Sequence, residues 1–270
     1  MSPTADRSPT VMVFAGLDPT GGAGLQADIE AVVSMGCHAL PVITAVTAQD
    51  TRDVRSVTAV DPLDVIGQAR AVLDDIPVSA FKIGLISSVG IVQAVHSILV
   101  DFPDIPVVVD PVCVSGGGRR LIDEELLNAM VSLIFPATLV VTPNTLEGRL
   151  LAPEADSPAA VAQQILTYGC GYVLLTGTHE NTEQVVNRLY ADMRLIESRT
   201  FERLQGSYHG SGCTLASAIA ARVAHGLEPV AAISQAQKYT FETLRHARRL
   251  GKGQFLPDRL YWARGFRGAA

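Results

Sequence analysis

The segment from His209 to Thr214 has the residue types and spacing best suited to chemistry. It is His-Gly-Ser-Gly-Cys-Thr and stands directly before an apolar helical pattern that begins at Leu215. A glycine-rich turn at a helix start presents backbone N–H groups at the positive end of the helix dipole, where an anion binds. Cys213 falls in the first turn, where the dipole lowers a thiol pKa and favours the thiolate. We therefore expect an acceptor or base here; the alternative is an N-capping turn with a buried, packed cysteine.

A second glycine-rich segment, Gly16–Gly24, lies between the first predicted strand and the first predicted helix. No Gly-Lys-Ser/Thr follows it as in a P-loop, and its glycine spacing differs from the dinucleotide-binding fingerprint. Glycines at this point allow the backbone to approach a ligand at the carboxyl edge of a sheet. A purely structural turn explains the segment equally well.

Polar side chains follow two predicted strands. Asp110 ends the apolar run Val107–Val109, and Asn144 and Glu147 come after Leu139–Thr142. Carboxylates at strand ends point into the crevice where α/β proteins bind ligands, and their oxygens suit Mg²⁺. Asp110 and Glu147 are therefore candidate metal ligands. Taken singly, each residue also suits a helix cap or a strand-end turn.

The elements that position these residues alternate between strands and helices. Predicted strands are Val11–Ala15, Leu40–Thr44, Ala80–Gly84, Val107–Asp110, Leu139–Thr142 and Tyr172–Thr176. Predicted helices are Gly24–Met35, Pro62–Asp74, Ser88–Val100, Glu124–Ile134, Ser157–Thr167, Cys213–His225 and Pro229–Leu250. This order predicts right-handed βαβ crossovers and a doubly wound, mostly parallel sheet. Polar–apolar alternation from Gln184 to Phe201 predicts an antiparallel edge hairpin.

Composition limits the class of protein. Hydrophobic residues make up 48% of the 270 residues and charged residues 18%, which suits a sheet covered by helices on both faces. The formal net charge of −6 argues against nucleic acid or an anionic membrane as a partner. The apolar runs are too short to span a membrane. The four cysteines have no metal-site spacing and predict reduced thiols in a cytoplasmic protein.

We expect one folded domain, since no linker or repeat divides the chain. Its predicted limits are residues 11–250. Residues 1–10 are predicted to be a flexible tail because they are rich in Ser, Pro and Thr. Residues 251–270, which include Arg259 and Trp262, are predicted to be a C-terminal tail that is partly ordered.

Six segments together closely resemble the hydroxymethylpyrimidine/phosphomethylpyrimidine kinases of thiamine biosynthesis. The resemblance extends from about Val11 to Tyr239, and the order of the motifs makes it specific. The segments are Gly16–Gly24, Thr44–Asp50, Lys82–Leu85, Asp110–Val114, Thr142–Glu147 and His209–Thr214.

The resemblance implies a ribokinase-like, three-layer α/β/α kinase, expected to be a homodimer. It implies transfer of phosphoryl from ATP, with Mg²⁺, to 4-amino-5-hydroxymethyl-2-methylpyrimidine and then to its monophosphate. Implied pyrimidine contacts are Gly16, Asp28, Gln49, Leu85 and Cys113. Implied catalytic residues are Cys213 as proton acceptor and the backbone of Gly210, Ser211 and Gly212. Candidate ATP contacts are Asn144, Thr176, Gly177 and Arg119.

Two departures from the family pattern affect the phosphate site. Many members have a lysine where this chain has Gly116, and Lys-Gly-Gly-His where this chain has Thr176-Gly177-Thr178-His179. Two positive charges are therefore absent, and Arg119 or Arg120, in the same glycine loop, is a candidate to replace one. A guanidinium does not have the geometry of an ammonium, which leaves the second phosphorylation open.

Two other functions remain alternatives. One is a pyridoxal or pyridoxine kinase, because those substrates also carry a hydroxymethyl group on a six-membered heteroaromatic ring. Gln49 argues against it, since pyridoxal-preferring relatives tend to lack that glutamine. The other is a non-catalytic pyrimidine-binding homologue, against which stands the joint presence of Asp110, Glu147 and Cys213.

Overall fold

The computed structural model describes residues 8–116 and 118–263. The strands are β1 (Thr10–Leu17), β2 (His38–Gln49), β3 (Val54–Ala59), β4 (Ala80–Ile83), β5 (Val107–Val109), β6 (Val140–Val141), β7 (Tyr172–Leu175), β8 (Gln184–Ala191) and β9 (Arg194–Glu202). The helices are α1 (Gly24–Ser34), α2 (Pro62–Leu73), α3 (Val89–Asp101), α4 (Glu124–Leu133), α5 (Thr145–Leu151), α6 (Pro158–Leu166), α7 (Ser211–Ala224) and α8 (Pro229–Arg245).

The strands form one sheet in the order β3-β2-β1-β4-β5-β6-β7-β8-β9. Six neighbouring strands pair in parallel, namely β2, β1, β4, β5, β6 and β7 in sheet order. Strand β3 pairs antiparallel at one edge, and the β8–β9 hairpin pairs antiparallel at the other. The crossover helices put the carboxyl ends of all six parallel strands on one edge. The predicted mostly parallel sheet with an antiparallel edge hairpin is confirmed.

Helices cover both faces of the sheet because its central strands are apolar on both sides. Side chains of β1 alternate between the faces: Met12 and Phe14 join one apolar cluster, and Val11, Val13 and Ala15 join the other. The first cluster includes residues of α2, α3, α4 and α6, and the second includes residues of α1, α7 and α8. The protein is therefore a three-layer α/β/α structure. In the part of the chain that the structure describes, no helix has both the length and the apolar character needed to cross a bilayer.

Two elements were not predicted, and one predicted element is too long. Strand β3 has an exposed, polar sequence, so it lacks the apolar run used to find strands. Helix α5 has only seven residues and follows directly on β6. Helix α8 ends at Arg245 rather than at Leu250, because Arg248 and Leu256 exchange backbone hydrogen bonds of 2.9 and 2.8 Å that turn the chain back.

The prediction of a C-terminal tail from residue 251 is wrong for residues 251–263. Arg259 is only 1% exposed and donates to the Thr214 hydroxyl at 2.8 Å. Its guanidinium also contacts the carbonyl oxygens of Gly21 and Gly22 and forms an ion pair with Glu30 at 3.2 Å. This segment therefore belongs to the folded domain and holds the first glycine-rich turn against α7.

We predict that Arg259→Ala lowers the free energy of unfolding by about 2–4 kcal/mol, because it leaves buried oxygens without their donor. Urea unfolding monitored by circular dichroism measures the change. Arg249→Ala is the matched control: Arg249 is exposed and donates to the carbonyl of Lys252. Its expected effect is within about 0.5 kcal/mol. Equal stability of the two variants would contradict an integral role for the C-terminal segment.

Candidate active site

A cleft of about 680 Å³ lies at the carboxyl edge of the parallel strands. The sheet order arranges its lining residues in space: Gln49 ends β2, Asp110 follows β5, and Thr176 follows β7. Five strand spacings of about 4.8 Å separate β2 from β7, a span of roughly 24 Å. The cleft is therefore long enough to hold two ligands end to end, with Asp110 between them.

The two glycine-rich segments predicted from the sequence meet in this cleft. His209 Nε2 lies 2.8 Å from Asp18 Oδ2, which also accepts from the Ala23 amide and the Thr20 hydroxyl at 2.9 Å. Burial opposes ionisation of Asp18, but the hydrogen bonds from His209 and the Thr20 amide prevail and hold its pKa below the ordinary value. Sequence reasoning missed the Asp18–His209 pair, since 191 residues separate its members.

Glycine is required where these two segments touch. Gly210, the N-cap of α7, has φ +80°, and a Cβ there would come within 2.0 Å of the Gly22 carbonyl oxygen. A Cβ on Gly22 would in turn lie 2.5 Å from the His209 ring. The close approach leaves the first-turn amides of α7, on Ser211, Gly212 and Cys213, at the centre of the cleft. The predicted anion site thus has the expected helix N-terminus.

Cys213 lines the cleft in the first turn of α7, where the helix dipole favours the thiolate. Burial raises the pKa of the Cys213 thiol to about 12, and the nearby ammonium of Lys82 opposes this without overcoming it. The thiol hydrogen-bonds to the carboxylate of Asp110, and its sulfur accepts from the backbone N–H of Gly24. Desolvation outweighs the helix dipole here.

Asp28 was predicted to contact the pyrimidine, and the structure instead places it beneath the cleft. Lys82 Nζ donates to both carboxylate oxygens at 2.8 and 2.9 Å, and Ser217 donates to one of them at 2.7 Å. Both members of the ion pair are fully buried. Lys82 lines the cleft and Asp28 does not, so Asp28 acts by holding Lys82. A lysine in the apolar strand β4 is the sequence signal that marks this pair.

Cys113, a second predicted pyrimidine contact, is fully buried in the apolar core and does not line the cleft. Its backbone N–H donates to Glu147 at 3.3 Å. The remaining predicted contacts, Gly16, Gln49 and Leu85, do line the cleft. The structure therefore brings three of the five predicted pyrimidine contacts together there.

The two predicted metal ligands, Asp110 and Glu147, both line the cleft, and each is 4% exposed. Burial raises the pKa of Asp110 to about 6, although Lys82 acts in the opposite direction. Burial and the charge of Asp110 raise the pKa of Glu147 well above its ordinary value. Glu147 accepts from the Asn144 backbone at 2.9 Å, and Asn144 caps α5 in return. Asn144 is thus a helix cap that also borders the cleft.

These carboxylates fit a magnesium ion. Asp110 and Glu147 are buried and oppose each other's ionisation, so a divalent cation between them would stabilise both in the charged form. Their carboxylate oxygens are hard ligands of the kind that Mg²⁺ prefers. Within residues 8–116 and 118–263, no set of three or more His, Cys, Asp and Glu is arranged to hold a metal. Mg²⁺ commonly binds through one or two protein carboxylates together with substrate phosphates.

The far end of the cleft contains polar groups that follow β6, β7 and β9. Thr176 lines this end, whereas Gly177 packs behind it: a Cβ there would come within 2.3 Å of the Val186 carbonyl oxygen. Arg203 also lines it, and its guanidinium donates to the carbonyls of Thr178, Glu180 and Thr182. No sequence signal marks Arg203, because it lies just past an edge strand.

Arg119 was predicted to contact the nucleotide, but its side chain lies outside the cleft, against strand β3. Its guanidinium donates to the backbone carbonyls of Val54 and Arg55 at 3.3 and 3.1 Å, on strand β3. It does not line the cleft. Arg120 similarly donates to the carbonyl of Ile122 at 2.7 Å. Neither arginine replaces the absent phosphate-facing lysines in this arrangement.

Two solved structures that share this fold are a pyridoxal kinase and a phosphomethylpyrimidine kinase. The Bacillus subtilis pyridoxal kinase in complex with ADP has a TM-score of 0.87 and 26% identity, covering 95% of this chain and 99% of that one. The Clostridium difficile phosphomethylpyrimidine kinase has a TM-score of 0.76 and 31% identity, covering 88% and 100%. The fold and the cleft therefore define a ribokinase-like phosphotransferase.

Sequence relatives narrow the class to one family. The family model for phosphomethylpyrimidine kinase matches residues 18–258. The hydroxymethylpyrimidine/phosphomethylpyrimidine kinase of Mycobacterium tuberculosis is 36% identical over 260 residues, 94% of each chain. A bifunctional thiamine biosynthesis protein of Geobacter sulfurreducens is 36% identical over 251 residues, covering 90% of this chain and 51% of that one. The chain belongs to the phosphomethylpyrimidine kinase family.

We predict that Asp110→Asn stabilises the metal-free protein at high pH. Folding raises the pKa of Asp110 from 3.8 to about 6, so the native state loses stability as the pH rises from about 4 to about 6, and the loss stays constant above that. At pH 8 the variant should gain roughly 2–3 kcal/mol in free energy of unfolding, and at pH 4 the gain should vanish. Urea unfolding with a chelator present measures both values, and Asp104→Asn, at an exposed loop position, is the control. A less stable Asp110→Asn at pH 8 would contradict the raised pKa.

Proposed function

We propose that the protein transfers the γ-phosphoryl group of ATP, with Mg²⁺, to 4-amino-5-hydroxymethyl-2-methylpyrimidine and then to its monophosphate, in thiamine biosynthesis. The observation that carries the proposal is the placement of Asp110, Cys213 and the α7 amides midway along the cleft. A phosphoryl group moving between two ligands must pass through such a point. Family membership supports the same reaction.

The end of the cleft beside β2 and β3 suits a small flat ring. Apolar side chains line it, and Gln49 adds an amide among them. These apolar residues are Val54, Val57, Leu85, Val112, Val114 and Leu121. A carboxamide offers a donor and an acceptor side by side, as the edge of an aminopyrimidine requires. Gly16 also lines this end, and its lack of a side chain lets Leu85 pack close to the backbone, since a Cβ there would lie 3.0 Å from Leu85.

The centre of the cleft suits the transferring phosphoryl group. Catalysis of this transfer depends on positioning and on stabilising the charge of the phosphoryl oxygens. The amides of Ser211, Gly212 and Cys213 and the ammonium of Lys82 supply positive groups. The Cys213 thiol is the proposed relay for the hydroxymethyl proton: its own S–H proton moves to the Asp110 carboxylate, to which it is hydrogen-bonded, as its sulfur accepts the proton of the hydroxymethyl group.

Bound Mg²⁺ would neutralise phosphate charge during transfer, and Asp110 and Glu147 would hold it. ATP would occupy the end of the cleft beside β6, β7 and β9, with Asn144 and Thr176 near its phosphates. Arg203 provides a positive charge at this end, where Thr176 stands in place of a lysine. Gly177 permits the close packing of the loop on β8.

The proposal includes a homodimer in the cytoplasm. The β8–β9 hairpin offers a surface for pairing, because Met193, Leu195 and Ile196 are each about half exposed at the sheet edge. The four cysteines are free thiols, as expected in a reducing compartment.

An ADP-release assay tests the proposed reaction with ATP, Mg²⁺ and, in turn, hydroxymethylpyrimidine, its monophosphate and pyridoxal. We predict turnover of both pyrimidines and a loss of about 100-fold or more in Cys213→Ala, because the proton acceptor is gone. Cys213→Ser should retain part of the activity. Cys170→Ala is the matched control, since Cys170 is buried away from the cleft.

The other outcomes are equally specific. Turnover of pyridoxal alone would make the protein a vitamin B6 kinase, the function of the Bacillus subtilis structure it resembles. Pyrimidine binding without turnover would make it a non-catalytic homologue. Full activity in Cys213→Ala would remove Cys213 from the mechanism.

A further inference from the structure

A short chain of hydrogen bonds fixes the amide of Gln49. Gln49 Nε2 lies 2.8 Å from Thr47 Oγ1, and Thr47 Oγ1 lies 2.8 Å from the carbonyl oxygen of Leu17. Thr47 is 7% exposed, so water does not readily replace either partner. We call this arrangement the Leu17–Thr47–Gln49 chain.

The direction of each hydrogen bond in this chain follows from the donor inventory. A backbone carbonyl only accepts, so the Thr47 hydroxyl must give its single hydrogen to Leu17. Thr47 then has only lone pairs left for Gln49, and the group that faces it must be the NH₂ of the amide. The amide oxygen of Gln49 is therefore held on the side away from Thr47.

The backbone that carries Thr47 and Gln49 is fixed as well. Thr47 lies in β2, between β1 and β3, and pairs with Val57. A register shift between Ala48 and Gln49 then breaks the regular pairing at the cleft. Such an irregularity re-aims a side chain near a site, and Gln49 lines the cleft at this point. The amide thus has one backbone position and one rotational state.

We propose that Thr47 is a positioning residue for substrate specificity, which it exerts by holding the Gln49 amide in this one orientation. The inference rests on the proposed function and deepens it. The amide oxygen then faces the exocyclic amino group of the pyrimidine, and the second N–H faces the adjacent ring nitrogen. When the hydroxymethyl groups coincide, pyridoxal has its aldehyde oxygen in place of the amino group. Two acceptors then oppose each other, which disfavours pyridoxal.

Loss of the Thr47 hydroxyl should weaken this discrimination. Without it the Gln49 amide can rotate by 180° and present its NH₂ to an acceptor oxygen. A site that hydrogen-bonds one ring edge rejects a mismatched edge through unpaired polar groups, and release of the amide removes that penalty. Removal of the hydroxyl should therefore lower activity on the pyrimidine and raise it on pyridoxal.

The experiment compares kcat/KM for hydroxymethylpyrimidine and pyridoxal in the wild type, Thr47→Val, Thr47→Ala and Thr47→Ser. We expect both Val and Ala to lower the pyrimidine-to-pyridoxal ratio by about tenfold, the value of one lost hydrogen bond. Ser keeps the hydroxyl and should keep the ratio within about twofold. The KM for ATP should not change. Thr58→Val, an exposed threonine of β3, is the matched control.

Two results would overturn the inference while the proposed function stands. One is an unchanged ratio in Thr47→Val and Thr47→Ala. The other is an equal loss on both substrates, which would make Thr47 a structural residue only. A wild type that does not phosphorylate the pyrimidine would overturn the proposed function itself, and the specificity inference with it. Two variants of different size keep the test valid if one of them folds poorly.

Discussion

The contact between the two glycine-rich turns is the constraint on which the site depends. The Gly22 carbonyl and Gly210 approach so closely that a Cβ on Gly210 would not fit between them. Asp18 and His209 bridge the same contact, and Arg259 joins the Gly21 and Gly22 carbonyls to Thr214 of α7. Close packing of backbone on backbone thus sets where the α7 amides point, and through them where an anion can bind.

The charge at the centre of the cleft depends in part on Asp28 and Ser217, which do not line it. Ser217 donates to Asp28 beneath the cleft, Asp28 holds the ammonium of Lys82 at the lining, and Lys82 supports the charge of Asp110. Burial raises the pKa of both acids in this region, but from different ordinary values: Asp110, raised to about 6, still ionises near neutral pH, while the Cys213 thiol, raised to about 12, stays protonated. The free enzyme therefore presents a neutral sulfur beside a carboxylate, and a metal ion or phosphate would change that balance.

The ends of the parallel strands were predictable because their signals are local. Asp110 follows an apolar run, and such a run in a βαβ pattern ends at the edge where ligands bind. The same logic located Glu147 and the turn before α7. It failed for β3, whose exposed polar sequence has no such run, and for the C-terminal segment. There, the burial of Arg259 depends on partners more than 200 residues away in the chain.

The sequence by itself determined the order of strands and helices, the parallel sheet, the family, and the set of polar residues at one edge. These follow from periodicity and motifs, which are properties of neighbouring residues. Only the tertiary structure decided which of those residues face the cleft. It placed Asp28 behind Lys82 and Cys113 in the core, and it turned the Arg119 guanidinium toward carbonyls of β3. The burial of Cys213 decided the protonation of its thiol. Burial and hydrogen-bond partners come from distant segments, so side-chain direction and pKa cannot be derived from local sequence.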